Sequence, residues 1–235
     1  MTAARTSPAS RLIHELKSPL TAIKGLASTG SRLYGSLTDE ERRQLFALLN
    51  EEADRLVRVL GQTASVLLLD AGEFEYDVRV EPLEPLIREA VKLARPADHP
   101  AEVEVEAGLA ACCDALRLRE TVSAALDNAS KYSPPGEHIS VRALAEEGAA
   151  VIQIVDRGPG LYPTDADLAF ERCSGVRPPG YEEVPGVGLS LNVARSHLAA
   201  IGGSITLTRP PGGPGTMLTL RIPLETPGVE VPGDG

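Results

Sequence analysis

From Ser7 to about Ser28 apolar residues return at helical spacing. Leu12, Leu16, Leu20 and Ile23 fall on one side of a 3.6-residue repeat, Ser7 is placed to cap the N-terminus, and Pro8 suits the first helical position. A turn-rich stretch at 29–38 separates this amphipathic helix from a second. Thr38, followed three residues on by Glu41, has the form of a capping box, and Leu45, Leu49, Ala53, Leu56, Leu60, Thr63 and Leu67 then recur at intervals of four and three. Two helices in a hairpin cannot bury two such stripes by themselves, so the pattern predicts a homodimer built on a four-helix bundle.

After Asp70-Ala71-Gly72 the period changes. Residues 74–80 and 102–106 alternate as strands do, with a helix over 83–94 between them. Asp114 can cap a helix that runs to about Lys131 and is stopped by Pro134-Pro135-Gly136. Residues 138–145 and 149–156 predict a hairpin. The Gly- and Pro-rich stretch 157–186 reads as an irregular loop with one short helix near 165–171. A helix over 187–200 ends at Gly202-Gly203, and 204–208 with 216–222 supply two last strands. The expected class is α+β. A helical hairpin forming a dimeric four-helix bundle occupies 1–73, an α/β sandwich with a mixed sheet occupies 74–225, and 226–235 form a disordered tail.

Composition narrows the function classes. Hydrophobic residues are 43% and charged residues 24% of 235, which fits a globular protein and excludes a disordered or fibrous chain. The formal charge of −10, with no basic patch, argues against a nucleic-acid partner, and an aromatic content of 3% without Trp leaves few rings to stack on bases. Three Cys, two of them adjacent at Cys112 and Cys113, form neither a disulfide framework nor a zinc spacing, as expected of reduced thiols in a cytoplasmic protein. No apolar run approaches the roughly 18 residues of a membrane span, and the N-terminal residues lack a signal-peptide core, so no membrane segment is expected in the chain.

Four blocks carry candidate chemistry. They are His14-Glu15-Leu16-Lys17-Ser18-Pro19-Leu20, Asp127-Asn128-Ala129-Ser130-Lys131-Tyr132, Asp156-Arg157-Gly158-Pro159-Gly160 and Gly186-Val187-Gly188-Leu189, with Phe170-Glu171-Arg172 between the last two. Each alone has a plainer explanation. A helical His is usually solvated, Pro19 is a kink, D-x-G-x-G is a turn, and a glycine pair before a helix is a cap. In this order and together they resemble the sensor histidine kinases, whose ATP-binding domain shares its fold with DNA gyrase, the mismatch-repair ATPases and some heat-shock chaperones. The resemblance covers about residues 8–224.

What the resemblance implies is specific. His14 is the phospho-acceptor, its neutral imidazole attacking the γ-phosphate of ATP in line. Glu15 is the proton acceptor or orienting partner, a role that family likeness supplies, since neighbours at i,i+1 point about 100° apart on a helix. Pro19 bends the helix beyond His14. Asn128 matches the ligand of a magnesium ion (Mg2+), Lys131 neutralises phosphate charge and Tyr132 flanks the adenine. Asp156 accepts from the exocyclic amine of adenine, while Gly158 and Gly160 let the backbone turn close to the base. Gly186, Gly188 and Leu189 bring backbone N–H groups and a helix N-terminus to the triphosphate. Residues 173–185 form a lid, and a response-regulator receiver domain takes the phosphoryl group on an Asp.

Departures from the family pattern define the alternatives. Ala124 stands where hydrolysing relatives carry a Glu, against an ordinary ATPase, and where kinases often carry a second Asn. Ser18 replaces the usual Thr or Asn linked to dephosphorylation. Gly175 takes the place of an Arg in the lid, for which Arg177 could substitute. The second reading is therefore a degenerate kinase serving as a dimeric nucleotide- or partner-binding scaffold, and the third a nucleotide hydrolase. No P-loop, nucleophile elbow or H-E-x-x-H motif is present.

Overall fold

The computed structural model describes residues 8–94, 99–178, 180–184 and 186–224; the expected Ser7 cap and 226–235 tail lie outside them. The chain divides into two compact units, one ending at Gly72 and a larger one beginning at Glu73.

The first unit is a helical hairpin of α1 (Pro8–Leu33) and α2 (Asp39–Ala71). The capping box forms as the spacing predicts: Glu41 N–H donates to Thr38 Oγ1 at 3.2 Å, and Thr38 N–H donates to Glu41 Oε2 at 2.7 Å. Gly72, with φ of 69°, ends α2 in the left-handed conformation. The first helix outruns its expected end near Ser28 by about a turn. It continues unbroken through Pro19, which is buried, and a Cβ on the buried Gly30 would stand 2.4 Å from Leu45 Cδ2, so the missing side chain is what lets α2 come close.

The second unit is a two-layer sandwich, and its strands and helices make the chain α+β. A five-stranded mixed sheet runs β2 (Ala101–Val105), β4 (Ile139–Glu146), β5 (Ala149–Val155), β7 (Met217–Pro223), β6 (Ser204–Thr208), parallel between β2 and β4 and antiparallel elsewhere. A small antiparallel pair joins β1 (Arg79–Pro82) to β3 (Ala110–Cys113). Ile139 and Val141 of β4, Ile152 and Ile154 of β5, and Leu218, Leu220 and Ile222 of β7 form a core with α3 (Leu83–Ala94), α4 (Ala115–Tyr132) and α5 (Ser190–Ala200). The helices contribute Leu83, Ile87, Leu118, Val122, Leu126 and Leu198. Each such burial is worth roughly 1.5–3 kcal/mol. Ser140 and Arg142, between the buried positions of β4, are exposed, which is the alternation of a half-covered sheet.

Three expectations need correction. The strand over 74–80 shrinks to Arg79–Pro82, because Phe74 and Tyr76 are kept from solvent by packing on His197 of α5 rather than by sheet pairing. The last helix starts at Ser190, not 187, since Gly188 adopts φ of 74°. The short helix near 165–171 is two 3-10 turns, Pro163–Asp165 and Leu168–Phe170. Strand β3 was not anticipated: at four residues, nearly all buried, it shows no alternation. Cys112 and Cys113 are free and buried, and burial pushes the Cys113 thiol up to about 12, so it is an inert core residue.

Candidate active site

In the hairpin, His14 lies on the exposed side of α1 and the next residue does not. Glu15 Oε2 accepts from Arg55 Nη2 of α2 at 2.9 Å, with the two side chains 15% and 27% exposed. The angular step of a helix explains the split. One residue apart, His14 faces water while Glu15 faces the neighbouring helix.

In the second unit, α4 delivers its final turns to the end of the sheet. Asp114 caps the helix by accepting from Arg117 N–H at 3.0 Å, and Ser133 ends it, N–H donating to Ala129 O at 3.1 Å. Asn128, Lys131 and Tyr132 occupy its last turns. Lys131 is paired with Asp127 one turn back. Asn128 is partly exposed, and among the described residues its carboxamide has no hydrogen-bond partner. Ala124 lies one turn before Asn128 on the same helix.

Asp156 follows β5 and is 7% exposed. Its Oδ1 accepts from Gly158 N–H at 2.8 Å and from Thr216 N–H at 3.0 Å, while Asp156 N–H donates to Thr216 O at 3.0 Å. Burial raises its pKa, and the donors from Gly158 and Thr216 oppose that rise. The surrounding backbone is too close for side chains. A Cβ on Gly158 would stand 2.4 Å from the carbonyl oxygen of Tyr132, one on Gly160 2.7 Å from Gly215 O, and one on Gly215 2.0 Å from Asp156 O. The structure thus brings Tyr132, Asp156, Gly158 and Gly160 together, and adds Gly215 and Thr216.

Gly188 and Leu189 precede the first turn of α5, where no side chain caps the helix. Its leading N–H groups can therefore serve an anion. Gly186 lies two residues earlier. Cys173 N–H donates to Gly188 O at 3.0 Å, tying the far side of the expected lid to this turn. The Phe170-Glu171-Arg172 block is gripped by α5. Asn192 Nδ2 donates to Phe170 O at 3.0 Å, its Oδ1 accepts from Arg172 Nε at 3.2 Å, and Arg195 reaches Glu171 at 3.1 Å and the Phe170 ring at 5.4 Å. Thr216, Gly215, Asn192 and Arg195 escaped sequence reasoning. The one available signal for Gly215 and Thr216 was the Gly-Gly-Pro-Gly stretch at 212–215; Asn192 and Arg195 had none.

Among the described residues no group of three or more His, Cys, Asp or Glu side chains could hold a metal ion, and no helix is long and apolar enough to cross a membrane. A lone neutral amide suits a magnesium ion that takes its other oxygens from phosphates and water, so the donor set is compatible with one ligand at Asn128.

Residues 113–226 match the family model described as histidine kinase-, DNA gyrase B-, and HSP90-like ATPase, and residues 9–65 match the His Kinase A (phospho-acceptor) domain. An ATP-binding module joined to a phospho-acceptor hairpin is the class these matches define. The sensor protein KdpD of Clostridium acetobutylicum is 31% identical over 220 residues, 90% of this chain and 24% of the relative, and KdpD of Mycobacterium tuberculosis is 30% identical over 95% of this chain and 26% of the relative. The chain thus spans about a quarter of the length of these curated relatives. Among solved structures, the mycobacterial sensor histidine kinase MprB aligns with 29% identity and a TM-score of 0.55 over 63% of this chain and 97% of that one. The Acinetobacter baumannii histidine kinase AdeS aligns with a TM-score of 0.65 and 21% identity over 91% and 98%, a likeness of fold. The chain belongs to the sensor histidine kinases.

Proposed function

We propose that this chain is a kinase core that transfers the γ-phosphoryl group of ATP to His14 and passes it to an Asp on a response-regulator receiver domain. The observation that carries this reading is the buried Asp156 carboxylate fixed by Gly158 and Thr216 beside Tyr132, in a chain that also presents an exposed His14 on a two-helix module. Asp156 would accept from the adenine amine, with Tyr132 flanking the base and Gly158 and Gly160 allowing close approach. Gly186, Gly188 and Leu189 would offer the triphosphate backbone donors, and Lys131 its charge once released from Asp127. Asn128 would hold magnesium, which when bound neutralises charge between the β- and γ-phosphates.

In the transfer, imidazole Nε2 forms the N–P bond as the bond from γ-phosphorus to the bridging oxygen breaks, ADP leaves, and the Nδ1 proton is lost. For Glu15 to take or orient that proton, its Oε1 must turn toward His14 while Arg55 engages Oε2, so the ion pair restrains the base. Leu20, Phe46, Val57, Leu60 and Leu67 remain exposed on the hairpin, which supports a second copy of the chain completing a four-helix bundle. ATP and receiver domains put the chain on the cytoplasmic side. The test is incubation with γ-labelled ATP and magnesium. Acid-labile label is expected on the wild type and not on His14→Ala, and recovery of label in mixtures of His14→Ala with Asn128→Ala chains would show transfer between subunits. Absence of label on the folded wild type would overturn the kinase reading, and phosphate release that survives His14→Ala would mark a hydrolase instead.

A further inference from the structure

In one substructure of the lid, Tyr181 has no role in the site as proposed above. Around residues 176–178 and 180–184 the backbone forms two successive turns. Tyr181 N–H donates to Pro178 O at 3.1 Å and Val184 N–H to Tyr181 O at 3.1 Å. Gly180 N–H donates to Glu182 Oε1 at 3.0 Å, and the N–H of Glu182 itself, then this bond, hold that carboxyl below its usual range. Arg177 closes the segment on itself, Nε donating to Val184 O at 3.2 Å and Nη1 to Val176 O at 2.8 Å. The scaffold presents one aromatic side chain, Tyr181, whose ring centroid is 5.8 Å from that of Tyr132 with the planes inclined at 68°. Tyr132 in turn abuts the Asp156 loop through the Gly158 contact.

Two rings so inclined make a corner, not a slot. A flat heterocycle can lie on one ring and be abutted at its rim by the other, the offset and edge-on arrangements that aromatic quadrupoles favour. Burial raises the Tyr132 hydroxyl pKa, so that ring stays neutral and offers an uncharged face. We propose that Tyr181 is a second aromatic contact for the purine, a specificity-determining residue that with Tyr132 forms the corner that seats the base. The inference rests on the nucleotide site proposed above. It makes the lid a reader of the base as well as a cover for the phosphates, and only the ring, not the hydroxyl, is needed.

The experiment is calorimetric titration of the full chain, with magnesium, by ATP and separately by inorganic tripolyphosphate, which has the phosphates and no base. Stacking contacts removed by Ala substitution predict about a tenfold loss of ATP affinity for Tyr181→Ala, unchanged tripolyphosphate binding, and recovery to within about twofold in Tyr181→Phe. In turnover, KM for ATP should rise with kcat nearly constant. Wild-type ATP affinity in Tyr181→Ala, or an equal loss for tripolyphosphate, would overturn the assignment. Asp156→Asn separates the two levels. If it weakens ATP and Tyr181→Ala does not, Tyr181 alone is misassigned; if neither variant changes ATP affinity, the base site itself is elsewhere.

Discussion

Replacing Tyr76 by Phe should loosen the segment that leads into the ATP-binding unit, in a pH-dependent way. The Tyr76 hydroxyl lies 3.0 Å from Nδ1 of His197, which is 4% exposed on α5 and whose Nε2 has no hydrogen bond among the described residues. Phe74 packs on the same imidazole at 4.7 Å, with the Arg117 guanidinium 4.8 Å above its ring, and Asp77 N–H donates to Asp114 Oδ2 at 3.1 Å. Removing the hydroxyl leaves the imidazole with no partner on either nitrogen. That costs about 1–2 kcal/mol, or roughly 3–6 °C of melting temperature for a unit of this size. Burial, then the Arg117 charge, lowers the His197 pKa, while Glu120 and Asp114 pull it the other way. The folded state therefore prefers neutral imidazole. The stability it contributes is complete above the unfolded histidine value, about 6.5, and is lost as pH falls from there toward the lower folded value. Melting followed by circular dichroism between about pH 8 and pH 5 should show a steeper acid-side loss for the wild type than for His197→Gln. Parallel profiles, or a Tyr76→Phe chain as stable as the wild type near neutrality, would refute the reasoning.

The Glu15–Arg55 pair, half-buried between two helices, should show a coupling energy of about 1–2 kcal/mol in a double-mutant cycle of Glu15→Gln and Arg55→Ala, above an exposed pair and below a fully buried one. Urea unfolding at one fixed protein concentration measures it, and strictly additive losses would show the contact to be idle. Gly215→Ala forces a Cβ to 2.0 Å from Asp156 O at a residue with φ of 119°, so the loop must move. ATP affinity in calorimetry is expected to fall at least about tenfold, and wild-type affinity would show that the backbone packing around Asp156 does not set the base site.

What was legible in the sequence was whatever a helix or a turn expresses locally. The Thr38 capping box, the Asp114 cap, the α4 stop at Ser133 and the pairing of 138–145 with 149–156 all depend on neighbours within a few residues, and all formed. Thr216 was invisible for the opposite reason. It reaches Asp156 across a separation of 60 residues, through the antiparallel pairing of β5 with β7, and nothing near Asp156 announces it. Leu60 and Leu67 fit neither case: the other members of their stripe are half-buried, and the hairpin alone leaves these two uncovered. At Glu15, adjacency to His14 in sequence conceals that its side chain meets Arg55, forty residues away. The D-x-G-x-G run has the same character. A buried carboxylate is tolerable only with donors, and one of its two backbone donors is Thr216, which leads from Gly215 into the distant strand β7. The motif therefore works as a site only where a distant glycine lets that strand come within contact of Asp156, so the chemistry of residue 156 is decided as much at 215 as at 158.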